Sequence, residues 1–438
     1  MACRLDARAA DFDAAFDAFL RIGRGTDEDV AAAVRAIIAD IRARGDAALI
    51  ELGERFDKAK LTPSTLRVST EEIAAADARC SKEALDALDV ATMRIEAYHR
   101  RQLPKDDSYI DETGAMLGWR WTPLDSVGLY VPGGTASYPS SVLMNAIPAR
   151  VAGVGRVAMA TPAGGGSINP LVLAAARRAG VTEIYRIGGA QAVAALAYGT
   201  ETIVPVDKIV GPGNAYVAAA KREVFGHVGI DSIAGPSEIL VVSDRAGNPD
   251  WIAADLLSQA EHDPSSQSIL ITDDADFADM VEATVVRALE TLPRKEIAAA
   301  SWRDFGAIIV VGALDDAAGL IDRIAPEHLE IATQDPERLL KKVKHAGAIF
   351  LGRHTPEAMG DYIAGPNHVL PTSRTARFSS GLSVLDFLKR TTLLSCPPRA
   401  IEELGPHAIA LAQAEGLGAH ARSIAARLNR RRDGPSDG

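Results

Sequence analysis

The chain has 438 residues, of which 47% are hydrophobic and 24% are charged, and its formal net charge is −11 at pH 7. This composition is typical of a folded protein with two or three domains, and it excludes a largely disordered chain. The acidic balance argues against nucleic acid as a partner, because no large basic surface is available to neutralise phosphates.

The sequence also lacks the signals of membrane insertion and of export. No apolar run is long enough to span a bilayer, and several aspartates lie within the first 17 residues, where a signal peptide would be apolar. Cys3, Cys80 and Cys396 are far apart, so neither a disulfide framework nor a thiolate zinc site is expected. We therefore expect a cytoplasmic protein that has no membrane partner.

The first hundred residues are predicted to be mainly helical. After an N-terminal arm over residues 1–25, apolar residues repeat at helical spacing from Asp27, with Thr26 as the predicted N-cap. After Pro123, short apolar runs alternate with alanine-rich helices. In chain order, strands are predicted at residues 156–160, 182–187 and 208–211, and helices at residues 170–179, 190–198 and 214–224.

The same alternation resumes in the second half of the chain. It predicts strands at residues 268–272, 307–311 and 348–351, and a helix at residues 277–289. Parallel strands need long crossover connections, and this alternation supplies them. The predicted fold class is α/β, with two incomplete Rossmann-like parallel-sheet domains, a helical N-terminal arm and a helical C-terminal segment.

From this pattern we predict that the chain is divided into four segments. They are the arm (1–25), a first α/β domain (26–125 with 237–381), a second Rossmann-like domain (126–236), and a C-terminal segment with a disordered tail (382–438).

Glycine-rich turns at residues 188–191, 211–214 and 235–238 are predicted to end strands and open helices. Helix N-termini at strand ends attract anionic groups such as phosphate. Gln191 and Asn214 would lie in first turns, where their side-chain amides could reach a dinucleotide. Ordinary turn chemistry is the alternative, and neither the GxGxxG nor the GxxxxGK[ST] motif is present. The residues alone therefore leave nucleotide binding open.

A metal site is predicted from four dispersed polar residues. Gln259 and His262 are three residues apart, so on a helix they project from the same face. Asp361 lies among glycines, and His420 lies in the C-terminal segment. Two imidazoles, a carboxylate and an amide oxygen suit zinc or a similar divalent ion, although each residue alone also fits a structural role.

Glu327 and His328 are adjacent candidates for general acid/base chemistry, because histidine titrates near neutrality. The alternative is that residues 326–328 begin a helix, with Glu327 favoured by the helix dipole.

Over nearly its whole length, the chain resembles histidinol dehydrogenases. The resemblance lies in YVPGGTASYPSSVLMNAIPARVAGV (130–154), GGAQAVAALAYGT (188–200), GPGNAYVAAAK (211–221), AGPSEILVVSD (234–244), LLSQAEHDPSSQS (256–268), PEHLEI (326–331), GDYIAGPNHVLPT (360–372) and AEGLGAH (414–420).

The resemblance implies four-electron, NAD-dependent oxidation of L-histidinol to L-histidine through bound L-histidinal. It implies one zinc ion per subunit, and the implied ligands are Gln259, His262, Asp361 and His420. The implied acid/base pair is Glu327 and His328. Implied substrate contacts are Ser237, Gln259, His262, His328, Asp361, Glu415 and His420, and implied NAD contacts are Tyr130, Gln191 and Asn214.

The resemblance also implies a homodimer, in which the C-terminal segment with Glu415 and His420 completes the partner's site. The matched motifs contain no cysteine, so we expect water rather than a thiolate to attack the aldehyde. Three alternatives compete with this interpretation: a relative that oxidises a sulfonated or phosphonated diol, a metal-dependent hydrolase, and a nonenzymatic module that binds zinc or nucleotide.

Overall fold

The computed structural model describes residues 2–23, 28–133 and 137–428. The chain divides into two compact units, which are residues 1–102 with 124–387, and residues 103–123 with 388–438. Thr26, the predicted N-cap, and the predicted disordered tail beyond residue 428 lie outside the described residues. The domain boundaries expected from the sequence stay a prediction.

The strands are β1 (Cys3–Asp6), β2 (Asp107–Ile110), β3 (Met116–Pro123), β4 (Ser126–Tyr130), β5 (Arg156–Ala160), β6 (Glu183–Tyr185), β7 (Lys208–Val210), β8 (Gly229–Ile230), β9 (Glu238–Ser243), β10 (Gln267–Thr272), β11 (Ala307–Val310), β12 (His328–Ala332), β13 (Ala348–Leu351) and β14 (Leu388–Ser395).

The helices are α1 (Phe12–Leu20), α2 (Glu28–Arg44), α3 (Asp46–Asp57), α4 (Pro63–Leu66), α5 (Thr70–Ala75), α6 (Lys82–Arg100), α7 (Pro139–Ala152), α8 (Pro170–Ala179), α9 (Gly189–Tyr198), α10 (Ala215–Val224), α11 (Pro249–Ala260), α12 (Ala275–Leu289), α13 (Lys295–Phe305), α14 (Ala317–Ile324), α15 (Pro336–Leu340), α16 (Glu357–Tyr362), α17 (Pro398–Ala414) and α18 (Gly418–Leu428). Short 3₁₀ turns lie at Asp77–Arg79, Gly164–Gly166, Leu314–Asp316, Thr375–Arg377 and Val384–Phe387.

A six-stranded parallel sheet in the first unit has the order β1-β11-β10-β9-β12-β13. The central strands β9, β10 and β11 are buried on both faces, which explains why they are nearly continuous apolar runs. In β9, Leu240 and Val242 pack on one face with Phe16 of α1, while Ile239 and Val241 pack on the other face with residues of α11 and α12.

A five-stranded parallel sheet in the same unit has the order β6-β5-β4-β7-β8. Helices α9 and α10 pack against each other and against α2, while α7 packs against α6 and α8. The chain moves from β4 outward through β5 to β6 and then crosses to β7 on the other side of β4. The carboxyl ends of β4 and β7 therefore flank a topological switch point, where α/β sheets commonly bind ligands.

The second unit contains an antiparallel sheet of order β14-β3-β2 and the helices α17 and α18. The two helices pack together where Gly405 faces Ile424 and Leu428. Within the described ranges, no helix combines the length and apolar character needed to cross a membrane.

The α/β class, the two parallel sheets and the helical terminal segments are confirmed. Three details differ from the sequence-based expectation. The N-terminal segment also contributes the edge strand β1, and the antiparallel sheet was not predicted. The turn at residues 235–238 was wrongly predicted to open a helix, because Glu238 begins the buried strand β9.

Candidate active site

The predicted acid/base pair lies at the amino edge of the six-stranded sheet. His328 is the first residue of β12, and its register partner Ile239 follows Glu238, the first residue of β9. Glu327 directly precedes β12, so the alternative that residues 326–328 begin a helix is wrong. This parallel pairing brings two glutamates and one histidine together at adjacent strand starts.

Glu327 and Glu238 are both buried, and each carboxylate accepts a hydrogen bond from the other's backbone. Glu327 Oε2 accepts the Glu238 N–H at 2.9 Å, and Glu238 Oε2 accepts the Glu327 N–H at 3.3 Å. The backbone N–H of Ser373 donates to Glu238 Oε1 at 2.9 Å. Burial, reinforced by the charge of Glu238, raises the pKa of Glu327 to about 8.

The backbone fixes the tautomer of His328. Its Nδ1 lies 2.9 Å from the Glu238 carbonyl oxygen, which can only accept, so Nδ1 carries the proton. Nε2 then faces Glu357 Oε1 at 3.8 Å and Asp361 Oδ1 at 3.7 Å. Burial favours the neutral ring, but the carboxylates, Glu327 above all, outweigh it and raise the pKa of His328 to about 10.

His328, Glu357 and Asp361 form a compact donor set, here called the His328 cluster. One ligand atom from each lies within 4.8 Å of the others, a spacing that allows a metal ion to be held. Glu357 and Asp361 are four residues apart on α16 and so share a face. The backbone N–H of Glu357 donates to the buried Glu330 at 2.6 Å, which anchors the start of α16 against β12.

The two acids of this cluster respond differently to burial. Desolvation raises the pKa of Glu357 to about 8. Asp361 is also desolvated, yet contacts with His328 and His368 hold the pKa of its carboxyl well below the ordinary range. Asp361 therefore carries the negative charge next to the imidazole.

The end of α11 approaches the cluster, because Ser258 Oγ donates to Glu357 Oε2 at 3.3 Å. The next residue, Gln259, is buried. Among the described residues, neither Gln259 Oε1 nor His328 Nε2 has a hydrogen-bond partner. Buried polar atoms without partners are costly, and here they lie in a site rich in carboxylates. This combination of donors fits a divalent cation.

His262 lies two residues beyond the end of α11. Although part of the residue is exposed, desolvation lowers the pKa of its imidazole, and the nearby charge of Asp361 opposes that shift. The structure thus brings three of the predicted metal ligands, Gln259, His262 and Asp361, into the neighbourhood of the predicted acid/base pair.

The remaining predicted substrate contacts lie elsewhere in the chain. Ser237 is half-buried directly before β9, and its carbonyl accepts the Gln267 N–H at 2.9 Å. Glu415 follows α17, and His420 lies in the first turn of α18; both are exposed and belong to the second unit.

The predicted NAD contacts lie at the carboxyl edge of the five-stranded sheet. Tyr130 ends β4, and its hydroxyl accepts the N–H of Gly189, the first residue of α9, at 3.0 Å. Burial raises the pKa of Tyr130 to about 12, so the hydroxyl stays neutral. Gln191 is buried two residues further along the same helix.

Asn214 lies after β7, on the other side of the switch point, and is the N-cap of α10. Its Oδ1 accepts the N–H groups of Tyr216 and Val217 at 3.1 and 3.2 Å, and the residue is exposed. The side-chain oxygen of Asn214 therefore caps α10. Its side-chain NH2 group has no hydrogen-bond partner among the described residues.

Three further site residues were not predicted from the sequence: Glu238, Glu357 and His368. His368 Nδ1 donates to the Asp361 carbonyl at 2.9 Å, and its Nε2 lies 3.3 Å from Ser141 Oγ. The four-residue spacing of Glu357 and Asp361 was a readable signal for a shared helix face. Glu238 carried no such signal, because its role depends on strand pairing.

A family model described as histidinol dehydrogenase matches residues 21–428. The chain belongs to the histidinol dehydrogenase family. Members of this family are oxidoreductases that act in histidine biosynthesis.

Individual members of the histidinol dehydrogenase family match along nearly the whole chain. A histidinol dehydrogenase from Rhizobium meliloti (strain 1021) is 66% identical over 429 residues, covering 98% of this chain and 99% of that protein. One from Ruegeria pomeroyi is 64% identical, covering 97% and 98%. The crystal structure of histidinol dehydrogenase from Elizabethkingia anophelis has a TM-score of 0.93 at 38% identity and covers 98% of both chains.

Proposed function

We propose that this chain oxidises L-histidinol to L-histidine in two NAD-dependent steps, through L-histidinal that stays bound. The observation that carries the proposal is the buried pair Glu327 and His328 beside a carboxylate cluster, in a chain that belongs to the histidinol dehydrogenase family over almost its full length. As an enzyme of amino-acid biosynthesis, it would act in the cytoplasm.

We propose further that one zinc ion per subunit is held by Gln259, His262, Asp361 and His420. The unpartnered Gln259 Oε1 and the charged Asp361 support this set. When bound, zinc would supply a template for the amino and imidazole nitrogens of the substrate. His420 and Glu415 would come from the partner in a homodimer, so that each site is completed by a second subunit.

His328 in its neutral form is the proposed acceptor of the proton of the substrate alcohol. In the metal-free chain the nearby carboxylates raise its pKa to about 10, and a cation held by Asp361 would offset their charge and favour the neutral ring. The Nδ1–H of His328 is held by the Glu238 carbonyl, so Nε2 is the nitrogen that can accept a proton. This Nε2 faces Asp361 and Glu357, and the negative charge of Asp361 stabilises the imidazolium once it has formed.

Glu327 is suited to activate the water that converts the aldehyde to its hydrate. Its Oε2 is held by the Glu238 N–H, which leaves Oε1 to accept a proton. A carboxylate with a pKa near 8 is a much stronger base than an ordinary one when ionised. His328 would accept a second proton as the hydrate is oxidised.

NAD would accept the hydride in each oxidation. Tyr130, Gln191 and Asn214 are the proposed contacts, since they lie at the carboxyl edge of the five-stranded sheet on the two sides of its switch point.

The decisive experiment is to measure NADH formed from limiting L-histidinol, before and after chelation, and again after zinc is restored. We expect two NADH per histidinol, lost on chelation and regained with zinc. One NADH would indicate an alcohol dehydrogenase alone. No NADH from histidinol, with NADH from a sulfonated or phosphonated diol, would identify the competing substrate class, and hydrolysis without NADH would identify a hydrolase.

A further inference from the structure

A buried ion pair lies beneath the turn that follows β7. Lys221 of α10 and Asp231, just after β8, contact each other through Nζ and Oδ1, and their side chains are only 2% and 4% exposed. Burying two charges costs more than their attraction returns unless further hydrogen bonds satisfy both groups. The additional partners of this pair are therefore informative.

Both additional hydrogen bonds go to the same residue, Gly211. Asp231 Oδ2 accepts the Gly211 N–H at 2.8 Å, and Lys221 Nζ donates to the Gly211 carbonyl at 3.0 Å. The two peptide groups that flank one α-carbon are thus held by two opposite charges. Their position relative to α10 and β8 is fixed more firmly than a neutral turn would allow.

Gly211 is also the point at which the turn contacts the neighbouring strand. Its φ is +113°, and a Cβ at this position would lie 2.1 Å from the carbonyl oxygen of Tyr130. Only glycine permits this approach. The hydroxyl of Tyr130 in turn holds the N–H of Gly189 at the start of α9, so the ends of β4 and β7 and the start of α9 are connected.

We propose that Lys221 and Asp231 are positioning residues for the dinucleotide. By fixing Gly211, they set the path of residues 211–214 and hence the position of Asn214 at the switch point. Buried ion pairs can often be replaced by apolar residues without loss of stability. We therefore expect removal of this pair to change the affinity for NAD more than the stability of the fold. The inference rests on the proposed function, because it takes this edge of the sheet as the NAD site.

The test compares wild-type holoenzyme with the double variant Lys221→Met/Asp231→Asn, which removes both charges at similar volume. The dissociation constant and KM for NAD should rise at least about tenfold, the scale of losing a hydrogen bond to a charged group. The kcat at saturating NAD and the zinc content should stay close to wild type. If the pair has only a structural role, the double variant should be less stable than wild type, while its KM for NAD should stay unchanged.

The matched control is Arg156→Met/Glu183→Gln, at the opposite, amino edge of the same sheet. Arg156 pairs with Glu183 and also donates to two backbone carbonyls, those of Val204 and Pro205 at 2.8 and 2.9 Å. This variant should lower thermal stability but leave the KM for NAD unchanged. A comparable rise in KM in the control would overturn the proposal.

If the double variant does not fold, Lys221→Gln/Asp231→Asn serves, because it leaves no charge buried alone and keeps an amide partner for each peptide group of Gly211. It should weaken NAD binding in the same direction, and unchanged binding would overturn the positioning role. The two proposals fail differently. Wild-type protein that binds no NAD overturns both, whereas tight wild-type binding that the variants leave unchanged overturns only this one.

Discussion

Glu327 and Glu238, two buried glutamates at the starts of neighbouring parallel strands, each accept the backbone N–H of the other. Strand register alone brings these two acidic side chains together, since Glu238 begins β9 and Glu327 precedes β12. The backbone hydrogen bonds hold both side chains in place, while burial disfavours ionisation of Glu327. This site and the cysteines outside it lead to four testable predictions.

The first concerns the pH dependence of stability in metal-free protein. The pKa of Glu327 is about 8 in the folded chain and about 4.3 when unfolded, so between these values the folded state binds more protons. Stability should therefore fall as pH rises from about 4.5 to 8. Glu327→Gln should remove part of this fall and raise the free energy of unfolding at pH 8.5 by roughly 1–3 kcal/mol. Urea unfolding of chelated protein at pH 5.5 and 8.5 measures the effect.

The control for this measurement is Glu290→Gln, which changes an exposed glutamate after α12. It should leave the pH dependence as in wild type. If the free energy of unfolding changes equally with pH in the Glu327 variant and in the control, the Glu327 carboxyl is ionised over the whole range from pH 5.5 to 8.5, contrary to the prediction.

The second prediction separates two metal-ligand candidates on α16. Asp361→Asn should weaken zinc binding by more than about 100-fold, because it removes a charged ligand. Glu357→Gln should weaken it by roughly 10- to 100-fold, as expected for a supporting group beside the ligands. Competition with a chromophoric chelator gives both affinities. Asp279→Asn, at an exposed position on α12, is the control, and a larger loss at Glu357 than at Asp361 would reverse the assignment.

The third prediction separates the roles of the acid/base pair. Glu327→Gln should slow oxidation of supplied L-histidinal more than oxidation of L-histidinol, because only the aldehyde step needs an activated water. His328→Asn should slow both steps, each by about 10²- to 10⁴-fold, since the same nitrogen accepts a proton in both. Single-turnover NADH formation from each substrate measures the two steps. Small, equal effects from both variants would mean that the roles are misassigned.

The fourth prediction is that neither Cys80 nor Cys396 acts as a nucleophile. Cys80 is half-buried and its Sγ lies 3.4 Å from the Ala76 carbonyl, while Cys396 lies in the second unit. Replacing both by serine should leave turnover from histidinol and from histidinal unchanged. Selective loss of the aldehyde step, assayed with freshly purified protein, would argue for a thiolate mechanism instead.

The core of the fold could be predicted from the sequence because its periodicity is strong. Buried runs such as Ala307–Val310 and capped helices such as Ala215–Val224 were found within a few residues of their ends. Cys3–Asp6 was missed, since four mixed residues carry no pattern of their own and become a strand only through pairing with β11.

The site could be predicted only in part, because some of its residues come together only through strand pairing. Gln259, His262 and Asp361 were named from residue type and motif, whereas Glu238 joins the site only through the register of β9 with β12. Glu357 faces His328 only because Glu330 anchors α16 against the sheet. Relations of this kind arise from tertiary packing, which local sequence does not encode.

The edge position of β1 has a consequence for the order in which the chain can fold during synthesis. The five-stranded sheet uses one continuous stretch, from Ser126 to Ile230, whereas β1 pairs with β11, about 300 residues later in the chain. At ribosomal rates this delay is roughly tens of seconds. Strand β1 must therefore wait, unpaired, until β11 has been made, and a chaperone that covers Cys3–Asp6 would have time to act.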